Sequence, residues 1–180
     1  ENQKWIIVDM GVTFADDTVP GVDLIYPDAG FIIEKKDDLL GIVLTHAHED
    51  HIGSISHIWP NLKCKIYATP FTAVLIQEKF KEKKIDITNY LKVVELNSQI
   101  KLGPFEIDFV TLTHSILEPN GLSITTPEGV ILHTGDWKVD PNPLIGNKVD
   151  EKKLRSIGSK GVIAMICDST NVFSPGRAGS

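Results

Sequence analysis

Six consecutive residues, His46-Ala47-His48-Glu49-Asp50-His51, bring three histidines and two acids together directly after an apolar run, Gly41-Ile42-Val43-Leu44. Imidazole nitrogen and carboxylate oxygen are the donors that divalent transition metals accept. In extended or tightly turned backbone, residues two apart project to the same side, so His46 and His48 can grip one ion together. Asp50 and His51 then point elsewhere, toward a second ion. Three of the six histidines of the chain fall in this one segment, a concentration that a hydrogen-bonding surface turn does not require. Thr111-Leu112-Thr113-His114 ends a second apolar run on a histidine, and Leu132-His133-Thr134-Gly135-Asp136 ends a third on an aspartate. Taken singly, these two read as a capping histidine and a turn aspartate.

Side chains of this kind need rigid strand ends to carry them. Ile42, Val43 and Leu44 read as a buried strand, and Ile52, Ile55, Ile58 and Trp59 follow at helical spacing. The histidines therefore sit in a strand-to-helix turn, where open α/β sheets bind their ligands. Trp5-Ile6-Ile7-Val8 is a further strand that ends on Asp9, with Met10-Gly11 after it. The helix after the histidines is expected to stop near Trp59-Pro60-Asn61, and a strand returns over 65–68. Thr69-Pro70 marks a helix start, with the helix over 71–83. Strands are expected over 91–96, 100–102 and 105–112, and a hairpin over 122–133 around Pro127-Glu128-Gly129. Asp150 caps a helix over 151–157 closed by Gly158, and 162–166 reads as a final buried strand. This alternation indicates a layered α/β architecture.

With 180 residues, 42% apolar and 23% charged, the chain can bury a core, and one domain is the default. No apolar run approaches membrane-spanning length and Glu1-Asn2-Gln3-Lys4 has no signal-peptide pattern. The expectation is a soluble, cytoplasmic protein with no membrane partner. Cys64 and Cys167 are too few for a disulfide framework and read as small core residues. A net charge of -6 and the absence of a basic stripe argue mildly against nucleic acid. Lys35-Lys36, Lys79 to Lys84 and Lys152-Lys153 alternate with acids and read as solvated faces. His57 reads as a surface or packing histidine.

The pattern H-x-H-x-D-H resembles the metallo-β-lactamase superfamily, a group of mostly dinuclear zinc hydrolases. The longer string Thr45-His46-Ala47-His48-Glu49-Asp50-His51-Ile52-Gly53 is similar to its β-CASP branch of ribonuclease J type, as are Gly21 to Asp28, His133-Thr134-Gly135-Asp136 and Cys167-Asp168-Ser169-Thr170-Asn171. The resemblance implies an α/β (α+β) fold, the αββα sandwich of that superfamily, incomplete at the C-terminal side. It implies residues 1–172 as the first portion of the catalytic domain and 173–180 as a linker toward a β-CASP domain. It places His46, His48 and His114 on a first zinc, Asp50 and His51 on a second, and Asp136 as the bridge. Asp9 and His133 then act from behind the ligands, and Asp50 and Asp136 are the catalytic pair. Two zinc ions sharing a hydroxide can hydrolyse RNA phosphodiesters, by exonuclease or endonuclease action. Manganese accepts the same donors, and homo-oligomerisation of the full-length protein stays open. In the family a further histidine from downstream completes the second site, so this chain alone is expected to hold that ion weakly and to have little activity. The alternatives are a thioester or lactone hydrolase of the same superfamily, and a non-catalytic, metal-stabilised RNA-binding scaffold.

Overall fold

The computed structural model describes Glu1 to Gly176. Within it the chain forms two compact units, Gln3–Val94 and Glu95 onward, the latter grouped with Glu1–Asn2. Each unit is built on one main sheet.

The sheet of Gln3–Val94 is parallel throughout, with β1 (Trp5–Val8), β4 (Leu39–Val43), β5 (Ile66–Ala68) and β6 (Leu91–Val93) side by side in that order. Parallel neighbours need crossovers. These are supplied by α2 (Glu49–Ile52) with α3 (Ile55–Leu62), and by α4 (Pro70–Glu82). A short ribbon of β2 (Thr13–Phe14) and β3 (Leu24–Ile25), then α1 (Gly30–Glu34), fill the stretch between β1 and β4. Ile42, Val43, Leu44, Ile55, Ile66, Ile76 and Phe80 are fully buried. Trp59 packs edge-on against Phe80 and Tyr90 and donates its indole N–H to the Cys64 carbonyl at 2.8 Å. Pro60 does not end α3 as the sequence suggested. The helix runs to Leu62 and stops at Lys63, which is left-handed (φ 49°). Pro70 does open α4 at its first position, where a missing N–H costs nothing.

The second sheet carries β7 (Gln99–Leu102), β8 (Phe105–Thr111), β9 (Asn120–Thr126), β10 (Gly129–His133) and β11 (Val162–Ile166), in the order β11-β10-β9-β8-β7. All its pairings are antiparallel except β10 with β11. The expected hairpin is β9 and β10, joined through Pro127 and Glu128. Asp150 caps α5 (Glu151–Ser159) by accepting the Lys153 N–H at 2.9 Å. The helix passes through Gly158, and the left-handed glycine that follows its end is Gly161 (φ 85°). Ile157 of α5 packs with Val110 and Val130. The expectation of a buried final strand fails at β11, where Ile163, Met165 and Ile166 are 50–61% exposed. β11 is an edge strand with a single neighbour among the described residues. Cys167 is likewise exposed, whereas Cys64 is buried.

Candidate metal centre

In the first unit the chemistry sits on the carboxyl ends of β1 and β4. Asp9 leaves β1 in left-handed backbone (φ 60°), its N–H held by the Val43 carbonyl at 3.0 Å. That conformation is one that aspartate tolerates better than most residues, and it turns the carboxylate toward the loop after β4. Asp9 accepts the Thr45 N–H at 2.8 Å through Oδ1, and through Oδ2 both the Thr45 hydroxyl and His51 Nδ1, each at 2.7 Å. Because the Thr45 hydroxyl proton goes to Asp9, the 3.0 Å contact between Thr45 Oγ1 and His46 Nδ1 is a donation by the ring. His46 and His51 are therefore both fixed with Nδ1 protonated and Nε2 presented as a lone pair. Orienting a ligand imidazole through its other nitrogen is the usual supporting arrangement at metal sites.

The other donor atoms of the loop have the spacing that an ion would impose. His46 Nε2 lies 3.1 Å from His48 Nδ1, and His51 Nε2 lies 3.7 Å from Asp50 Oδ2. Ligand atoms on one tetrahedral zinc at about 2.0–2.1 Å are separated by about 3.3 Å. His46 is fully buried, while the Asp50 side chain is 63% exposed and open to water. Backbone contacts clamp the loop from below: Met10 N–H donates to the His51 carbonyl at 2.6 Å and Val12 N–H to that of Glu49 at 3.1 Å. Gly11 lies between them, and a Cβ there would overlap the Asp50 carbonyl. Lys79 of α4 ion-pairs with Glu49 at 2.6 Å, so this lysine is not the freely solvated residue that the sequence suggested.

In the second unit the strand ends of β8, β10 and β11 carry the corresponding groups. His114 Nε2 lies 3.6 Å from Asp136 Oδ2, again close to ligand spacing. Thr113 bridges to Lys138, which fixes the segments holding these two residues side by side. His133 accepts the Gly135 N–H on Nδ1 at 3.0 Å and so shapes the left-handed turn (Gly135 φ 56°) that presents Asp136. Asp168, to which the sequence alone assigned no role, follows β11. The Thr170 hydroxyl and N–H, at 2.6 and 2.8 Å, hold its carboxyl below the usual carboxylate range, and His114 acts in the same direction. The signal that identified Asp136, an acid closing an apolar strand, was equally present at Asp168.

A family described as beta-lactamase superfamily domain matches residues 4–157. The chain belongs to the metallo-β-lactamase superfamily. Within it, the similarity is to the ribonuclease J type. Ribonuclease J of Sinorhizobium meliloti is 43% identical over 177 residues, which is 97% of this chain and 31% of that protein. Ribonuclease J of Corynebacterium glutamicum is 43% identical over 185 residues, 99% and 25% of the two chains. That of Helicobacter pylori is 38% identical over 176 residues, 97% and 26%. The chain thus spans a quarter to a third of the length of these relatives. Among solved structures, zinc-bound PqqB from Methylobacterium extorquens matches with a TM-score of 0.62 over 94% of this chain and 57% of that one, at 12% identity. A protein of unknown function from Enterococcus faecalis matches at 0.61 over 97% and 46%, at 18% identity. The mixed α/β fold of the metallo-β-lactamase class expected from the motifs is therefore the fold observed.

Proposed function

We propose that this chain carries the metal-binding part of a ribonuclease of the ribonuclease J type, which hydrolyses RNA phosphodiester bonds. The observation that carries the reading is the Asp9, Thr45, His46 and His51 network, which fixes two imidazoles with their lone pairs directed away from their own supports. A histidine that only packs or caps does not need its tautomer set in this way. In this reading His46, His48 and His114 would hold a first ion and Asp50 and His51 a second, with Asp136 available to both. The donor set suits zinc and also admits manganese. When bound, such a pair supplies a water acidified to near-neutral pKa and positive charge for the attacking and leaving oxygens. Asp50, exposed at the loop, orients the attacking water and takes up its proton. Asp136 would offset positive charge there and is itself held by the His133-shaped turn. Asp9 keeps His46 and His51 in their ligating tautomer. The donor sets are unequal, so His46, His48, His114 and Asp136 would hold an ion more tightly than Asp50, His51 and Asp136. Residues 173–180 are the connection toward a β-CASP domain, and 177–180 of them lie outside the described residues.

The test combines metal titration with hydrolysis. The expected result is two classes of zinc site, both weakened in Asp136→Ala. RNA cleavage by the full-length protein should be lost in Asp50→Asn with the ion on His46, His48 and His114 retained, and thioester and lactone substrates should be untouched. Hydrolysis of a thioester or lactone in preference to RNA would replace this reading with the other hydrolase class, and zinc binding indifferent to Asp136 would remove the shared centre.

A further inference from the structure

On the surface of the first unit Tyr26, just after β3, lies against His57 in the first turn of α3. Their ring centroids are 4.6 Å apart with planes tilted by 32°, and Tyr26 Oη sits 3.2 Å from His57 Nε2. Neither ring belongs to the core: Tyr26 is 39% exposed and His57 is exposed as well. Lys83 and Lys79 act on His57 electrostatically. Partial burial first, then the ammonium groups of Lys83 and Lys79, hold the His57 pKa below its ordinary value. The shift favours the uncharged form of the His57 ring. Lys79 also pairs with Glu49, which stands between His48 and Asp50. The aromatic pair, its lysines and the ligand loop are consequently joined through α2, α3 and α4 on one unit.

We propose that Tyr26 and His57, with the cation of Lys83 acting on His57, form a base-stacking subsite for a nucleotide of single-stranded RNA lying outside the metal ligands. The proposal rests on the RNA reading above and adds to it where the strand is held. Single-stranded nucleic acid is gripped by aromatic rings that take base faces and by cations that take phosphates, with little preference for sequence. This patch has both. Duplex RNA hides its base faces in the stack, so it does not fit. The chain carries a net charge of -6, which leaves Lys83 as the local electrostatic contribution and limits it to about one phosphate, with a correspondingly shallow salt dependence.

Binding is measured with metal removed by chelator, so that a failure of hydrolysis and a failure of the platform are separate results. Wild-type protein is titrated against fluorescein-labelled oligouridine and an abasic oligonucleotide of the same length, followed by anisotropy. The expected outcome is about a tenfold preference for the strand with bases, abolished in Tyr26→Ala and retained in Tyr26→Phe. Lys83→Ala should weaken both ligands and flatten the salt dependence while leaving their ratio intact. An oligonucleotide carrying 2-aminopurine gives an independent readout on the unmutated protein, with fluorescence quenched on binding. Equal affinity for abasic and base-bearing strands overturns the proposal. So does equal competition by duplex RNA, an unquenched 2-aminopurine, or a Tyr26→Phe variant that behaves like Tyr26→Ala.

Discussion

Asp9 accepts three hydrogen bonds from the loop that carries four of the proposed ligands, and it does so from backbone that few residue types tolerate. Replacing it by alanine frees the Thr45 hydroxyl and His51 Nδ1, so both imidazoles gain the wrong tautomer and extra rotation. Zinc affinity should drop by about 10- to 100-fold, read by competition with a chromophoric chelator; an unchanged affinity would detach Asp9 from the site. Cys64 offers a second test at this scale, because burial pushes its thiol up to about 11 from an ordinary 9.0. The folded-state value is the higher one, so the unfolded chain loses its proton first. This contribution to stability is complete below pH 9 and is lost as the pH rises toward 11. Urea unfolding at pH 8 and 10.5 should show wild type losing about 2 kcal/mol more than Cys64→Ala.

At the scale of elements, the passage of the β1 exit beneath α2 is the tightest constraint on the ligand loop. Gly11→Ala puts a methyl group into the Asp50 carbonyl, where only backbone can give way. Destabilisation of about 1–3 kcal/mol is expected, and zinc affinity should fall with it because α2 must move. Chemical denaturation and the chelator assay read the two effects; a variant with normal stability and normal metal binding would show that the loop is not clamped from below. An interior strand and an edge strand of the second sheet differ just as sharply. Phe109 on β8 is fully buried and Ile163 on β11 is 61% exposed. Phe109→Ala should cost about 3–5 kcal/mol, whereas Ile163→Thr should stay within about 0.5 kcal/mol. Comparable losses would mean that β11 is covered in solution.

For the whole molecule, the proposed reading puts His46 and His114 on the same ion, and metal should therefore stabilise the folded chain. An ion that binds the folded chain at 100 times its dissociation constant adds about 2.7 kcal/mol. Zinc should raise the melting temperature of wild type, and His46→Ala and His114→Ala should each abolish most of that rise without adding when combined. Additive effects would place the two histidines on separate ions. Among the described residues no helix is long and apolar enough to cross a membrane.

The loop from His46 to His51, the strands that precede Asp9 and the histidines, and Asp150 as a helix cap were legible in the sequence because each depends on neighbours within a few positions. Composition and periodicity carry that information directly. Local pattern misjudged the end of α3, the glycine that closes α5 and the burial of β11. Proline in a last helical turn, a glycine that a helix can absorb and an apolar strand at a sheet edge all look locally like their opposites. What only tertiary structure decided is the set of long-range hydrogen bonds: Asp9 reaching 36 residues to Thr45 and 42 to His51, and Tyr26 meeting His57 across 31. Residues that far apart are brought together by the packing of strands and helices, and no spacing in the chain encodes which nitrogen of a histidine is left to bind a metal.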